Sequence, residues 1–134
     1  MPLVTIDLLE GRPPHELDAV AEAIHEAMVE HLGVPRRDRF QIVTEHTPRS
    51  LRFDRSYLDI PRSDAFVLIR VTLSAGRTTE AKQAFYTSVA ERLADRPGVP
   101  AEDVAIALIE NTREDWSFGR GQASYVELPR EQWR

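Results

Sequence analysis

The sequence contains no cysteine. Disulfides, thiolate metal sites and a cysteine nucleophile are therefore excluded. It also lacks any apolar run of membrane-spanning length, and no signal-peptide pattern opens it. A cytoplasmic protein without membrane contact is expected. Positive charge is in the minority: 17 Lys and Arg stand against 22 Asp and Glu, a formal net charge of −5. That balance argues against a nucleic-acid partner. Histidine is scarce too, and His15, His25, His31 and His46 form no His-x-x-x-His pair. A structural zinc is not expected, and all four are read as surface or helix-cap residues. What is present is ordinary for one soluble globular domain: 134 residues, 42% hydrophobic and 29% charged.

The chain repeats itself. Shifted by 65 residues, Gly11-Arg12 falls on Gly76-Arg77, and Gly33–Thr47 (GVPRRDRFQIVTEHT) falls without a gap on Gly98–Thr112 (GVPAEDVAIALIENT). Two units of this size are too few for a solenoid, so the pattern is that of a fused duplication. Both units share one grammar. A β-prone run (Leu3, Val4, Ile6, Leu8, Leu9; then Phe66, Val67, Leu68, Ile69, Val71, Leu73) ends in Gly-Arg. Apolar residues at helical spacing follow: Leu17, Val20, Ala21, Ile24 and Met28 in one unit, Phe85, Val89 and Leu93 in the other. Thr78 is placed to cap the second helix, and Gly33 and Gly98 to end the two. Second strands are expected over Phe40–Glu45 and Val104–Glu110.

Each unit is thus β-α-β, with parallel strands and a right-handed crossover. Together they predict an α/β (α+β sandwich) domain over residues 1–134. Its units span about 2–47 and 66–112, in one mixed four-stranded sheet with both helices on one face. Between them, 47–64 reads as a polar connector with a short element around Tyr57. After them comes a tail with WSFGRG and a β-run over Ala123–Leu128. First strands apolar on both sides would leave the sheet's other face uncovered, so oligomerisation is expected.

Pro2 stands directly behind Met1. Removal of Met1 would leave Pro2 carrying a secondary amine, able to act as acid, base or nucleophile. The alternative is that a strand simply begins there. Under the 65-residue shift Pro2 maps to Val67, which has no free amine, so any proline-based site exists once per chain. By the same logic Arg12, the counterpart of Arg77, is read as structural.

Pro2 with LLEGR, the β-α-β unit and its duplication resemble the tautomerase superfamily. GVPRRDRFQ, AGRTTEAKQ and ENTREDWSFGRG make the sequence similar, along nearly its whole length, to the malonate semialdehyde decarboxylase family. The resemblance implies a homotrimer, a short oxo-acid substrate and no metal or organic cofactor. It implies Pro2 as the catalytic amine, Asp38 as the active-site aspartate, Arg77 as the carboxylate-binding arginine, and Trp116 and Phe118 as pocket walls. One departure is that Ala75 stands where some members carry a first arginine of an Arg-x-Arg pair. Structural alternatives stay open: Asp38 as a turn residue like its counterpart Asp103, Arg77 as an end-of-strand arginine, and Trp116 and Phe118 as core. The implied reaction is decarboxylation of a short 3-oxo acid, with tautomerase or hydratase action on 2-oxo acids as the alternative. A non-catalytic trimeric binding protein is the remaining class.

Overall fold

The computed structural model describes residues 2–133; removal of Met1 is a question outside the described residues. Four strands, β1 (Leu3–Leu9), β2 (Gln41–His46), β3 (Val67–Ser74) and β4 (Val104–Asn111), form one sheet in the order β2-β1-β3-β4. β1–β2 and β3–β4 are parallel, and the central β1–β3 pair is antiparallel. The duplication is visible in the register. Val4 opposite Gln41 recurs as Ile69 opposite Ile106, and Leu9 opposite His46 as Ser74 opposite Asn111.

Helices α1 (Pro14–Leu32) and α2 (Thr79–Asp95) cross over between the parallel strands and pack on one face of the sheet. Proline at the first turn of α1 loses no hydrogen bond, because that N–H would have no helical partner. Gly33 closes α1 at φ 67°, a left-handed conformation that glycine adopts without Cβ strain. In α2 the Thr78 hydroxyl accepts from the Ala81 N–H at 3.1 Å, as expected, but the helix ends at Asp95, before Gly98. Val4, Ile6 and Leu8 with Val67, Ile69, Val71 and Leu73 bury against Val20, Ile24, Met28, Phe85, Val89 and Leu93. Each such side chain contributes about 1.5–3 kcal/mol through apolar area removed from water. No helix among the described residues is long and apolar enough to cross a membrane.

The other face differs from expectation. Its central positions are polar: Thr5, Asp7, Arg70 and Thr72 alternate with the core residues. Asp7 is buried and pairs with His46 (2.7 Å) and Arg70 (3.0 Å), bridging three strands. Nor is the face wholly uncovered. At the end beyond Asp7 the connector folds over it, placing Leu51, Phe53 and Phe66 on Leu9, Leu68 and Ala105. Phe53 and Phe66 stack at 4.2 Å. At the opposite end, Leu3, Ile42 and Ile109 remain exposed on that face, with Phe40 beside them. The connector's short element is a 3-10 turn at Tyr57–Asp59.

Two further expectations are corrected. His25 lies buried on α1, on the same side as Ala21, Met28 and Leu32, and half-buried His46 is an ion-pair partner; neither is a surface or cap residue. The tail segment Ala123–Leu128 is not a strand but a helical turn, α3 (Ser124–Glu127). It makes no ladder: the Leu128 N–H donates to the Ser124 carbonyl and the Ala123 N–H to the Glu127 carboxylate, while Ser124 donates its N–H to the Trp116 carbonyl and accepts from the Phe118 N–H at its hydroxyl.

Candidate active site

Three segments that are remote in sequence meet at one end of the sheet. Pro2 is buried immediately before β1. The Val4 N–H donates to the Phe40 carbonyl at 2.9 Å, which ties the head of β1 to the segment entering β2. Because Leu3 lies opposite Thr72, the chain beyond β3, Ser74 to Arg77, leaves the sheet at the same end. Asp38 sits in the turn after Gly33, its N–H bonded to the Pro35 carbonyl at 2.9 Å. His25 fixes that turn from below: its Nε2 lies 2.8 Å from the Arg36 carbonyl.

Asp38, Tyr125 and Trp133 are shared by two adjoining cavities of about 290 and 400 Å³. The first is walled by Phe40 and Phe118, the second by Ser74, Ala75 and Arg77. Burial pushes the Asp38 carboxyl up to about 6, while the nearby positive charges of His25 and Arg77 pull it the other way. Asp38 is therefore a carboxylate that changes charge close to neutrality. Arg77 is half-buried and partly committed. Its Nε donates to the Leu32 carbonyl (3.1 Å) and one terminal nitrogen to Ser74 (2.9 Å), so it fastens the end of β3 to the end of α1.

Phe118 lies between Phe40 (5.7 Å between ring centroids) and Trp116 (5.3 Å), both stacked on it. Trp116 does not face either cavity directly. It backs Phe118 and is held by donating its indole N–H to Asn111 Oδ1 at 2.8 Å. The structure adds Tyr125, which sequence reasoning missed. Its ring meets Phe118 edge-on at 5.4 Å, and burial together with the Asp38 carboxylate holds the phenol above the usual tyrosine range, opposed by Arg77. It thus stays protonated at neutral pH, a hydroxyl donor between a carboxylate and a guanidinium. Only the β-prone run of the tail spoke for it in the sequence, and that pointed to a strand.

The duplicated counterpart of this site is filled by the chain itself. Asp103 is buried and accepts from both the N–H and the hydroxyl of Ser63, at 2.6 Å each. Arg12 donates to the Ala65 carbonyl at 2.8 Å. The connector is therefore bonded to Asp103 and Arg12 at the head of β3, whereas their counterparts Asp38 and Arg77 line a cavity.

Paired β-α-β units with a repeated internal register, a proline buried at the head of β1 and a cavity at the sheet's end define a tautomerase-type fold. The chain belongs to the tautomerase family: models described as tautomerase enzyme match residues 38–119 and 2–54. It is 41% identical to "Probable tautomerase YusQ" of Bacillus subtilis (strain 168), covering 95% of this chain and 100% of that one. It is 38% identical to "Probable tautomerase YrdN" of the same organism, over 94% and 97%. Among solved structures it is similar to a malonate semialdehyde decarboxylase inhibited by 3-bromopropiolate, at TM-score 0.87 and 44% identity over 95% and 99% of the chains. A malonate semialdehyde decarboxylase described with decarboxylase and hydratase activities matches at TM-score 0.87 and 38% identity, over 92% and 95%. A fused 4-OT symmetric trimer shares the fold at TM-score 0.76 and 22% identity, over 94% and 99%.

Proposed function

We propose that this enzyme decarboxylates a short 3-oxo acid of the malonate semialdehyde type, with the amine of Pro2 as its acid. The observation that carries the reading is the convergence of Asp38 and Arg77 on one cavity, at the end of the sheet where β1 begins just after Pro2. The likeness to two malonate semialdehyde decarboxylases supports it.

The chemistry follows from the charges. Ionised Asp38 favours the protonated amine. The ammonium donates to the aldehyde oxygen while Arg77 holds the carboxylate so that the breaking bond lies across the carbonyl plane. As that carbon–carbon bond breaks, its electron pair flows toward the carbonyl, the oxygen takes the proton, and carbon dioxide leaves. The resulting enol returns to the aldehyde as a proton from water adds at carbon and the hydroxyl proton goes back to the Pro2 amine, restoring the ammonium. In this reading the charge that develops on the oxygen is met by the Pro2 ammonium, with the Tyr125 hydroxyl of the same cavity as a second donor. Phe40 and Phe118, backed by Trp116, keep water from the carbonyl end of the substrate. No metal or organic cofactor enters these steps. A covalent iminium on Pro2 is a second route to the same electron sink, and the two are separable by borohydride trapping.

The runner-up is tautomerisation or hydration of 2-oxo acids, favoured by the names of the Bacillus relatives and by Ala75 in the carboxylate-binding loop. Side-by-side turnover of malonate semialdehyde and phenylenolpyruvate decides between them. Intact mass decides the premise, since a retained Met1 sinks both. We further propose a homotrimer, supported by Leu3, Ile42 and Ile109 exposed on the uncovered end of the sheet and by the trimeric fused 4-OT neighbours.

A further inference from the structure

The loop that binds the substrate carboxylate in the proposed reading supplies a single cation, Arg77. Ser74, Ala75 and Gly76 contribute only small groups to the 400 Å³ cavity. Of the three guanidinium nitrogens of Arg77, two are spent on the carbonyls of Leu32 and Ser74. Tied to two backbone carbonyls, Arg77 keeps three of its five N–H donors but is fixed in place, so a carboxylate in this cavity gains from a second cation that meets it from another side.

A second guanidinium lines the same cavity. Arg113 opens the 3-10 turn Arg113–Asp115 after β4. β3 and β4 are parallel and end together, Ser74 opposite Asn111, so the residues just past each strand emerge side by side. Arg113 is placed against Arg77's loop by this register, not by proximity in sequence. Arg36, Arg39, Arg55, Arg70 and Arg92 each pair with a carboxylate. Arg113 has no ion-pair partner among the described residues; what holds it is the ring of Trp133, 5.4 Å from its guanidinium carbon. Stacking on an aromatic face leaves the in-plane N–H edge of a guanidinium available to an anion.

We infer that Arg113 is a second carboxylate-binding residue of this site, filling the role left open by Ala75, so that the substrate's carboxylate is held between Arg77 and Arg113. The inference rests on the site proposed above, and it extends the substrate requirement: the ligand is a short acid whose carboxylate points toward the ends of β3 and β4, away from the aromatic wall at Phe40 and Phe118. Arg113 binds the carboxylate before and during reaction alike, so its loss raises KM more than it lowers kcat.

The test is calorimetric titration of the intact protein with malonate, an unreactive short carboxylate, alongside turnover of malonate semialdehyde. Arg113→Ala is expected to weaken malonate about tenfold or more, with Arg113→Lys recovering part of the loss. The salt dependence of binding becomes shallower in the alanine variant. In turnover, KM rises by a similar factor while kcat stays within about twofold. Malonate binding within about twofold of wild type in Arg113→Ala, or no measurable malonate binding by wild type, overturns the inference. Wild-type protein that binds malonate through Arg113 yet releases no carbon dioxide from malonate semialdehyde sinks the decarboxylase reading and leaves this one standing.

Discussion

The Asp103 carboxylate takes both the N–H and the hydroxyl of Ser63, at 2.6 Å each, at the position that the duplication makes equivalent to Asp38. The same residue type therefore serves two ends of one sheet in opposite ways, bonded into the fold at one and lining a cavity at the other. Asp103→Ala should lower stability by about 2–4 kcal/mol, because it leaves two polar groups of a buried network unsatisfied. Urea denaturation measures this. Turnover per folded molecule should change little.

Asp38→Asn should do the reverse. The folded-state pKa of Asp38 lies above its unfolded value, so at pH 7.5 the native state carries a poorly solvated charge that the unfolded chain does not resent. The asparagine variant should then melt higher than wild type at pH 7.5, and the gain should shrink as pH falls through about 6 and vanish near the ordinary carboxyl range. Catalysis should fall with the same substitution. A variant that loses stability at pH 7.5 would show that Asp38 is structural, like Asp103.

The rate profile carries a matching signature. Decarboxylation should rise with pH as Asp38 ionises near 6 and fall again when the Pro2 ammonium loses its proton. A base-driven tautomerase would instead keep gaining activity through the amine's titration. Acetylation of the amine should stop either reaction.

Tyr125→Phe removes only a hydroxyl that stays protonated between Asp38 and Arg77. If that hydroxyl assists charge development on the substrate oxygen, kcat should drop by about 10²-fold with the melting temperature nearly unchanged. An unaltered kcat would confine Tyr125 to its packing against Phe118 and Trp133.

Arg12 and Arg77 are counterparts, and each bonds a backbone carbonyl. Arg12→Ala should loosen the connector and cost stability alone. Arg77→Ala should cost stability and also about 2–4 kcal/mol of transition-state binding. Equal turnover losses in both, measured on folded protein, would mean that the site is wrongly placed.

Most of the architecture was legible because the duplication repeats its own evidence. Two β-prone runs, two helical stripes and two Gly-Val-Pro turns agree on boundaries that one copy would leave loose. The tail had no second copy to check against. Ala123 to Leu128 reads as a β-prone run, but it has no neighbouring strand to pair with, and bonds accepted by the Ser124 carbonyl and the Glu127 carboxylate close a helical turn instead. His25 could have been placed, since it stands four residues after Ala21 and three before Met28 on the buried side of α1. The polar belt of Asp7, His46 and Arg70 was hidden because it joins three strands, a relation that no single segment displays. Tyr125, whose segment the sequence assigns to the wrong element, was lost with it.

The connector's passage beside Val67 gives the two halves different freedoms. Around Asp103 and Arg12, any substitution that tightens the hold on Ser63 and Ala65 is a gain for the folded chain, with no reaction to disturb. Around Asp38 and Arg77, the same tightening would close the cavity and silence the enzyme. A thermostabilised variant should therefore draw its changes from one half of the sequence, and the repeat that looks symmetric on paper is an asymmetric map of where this protein can be improved.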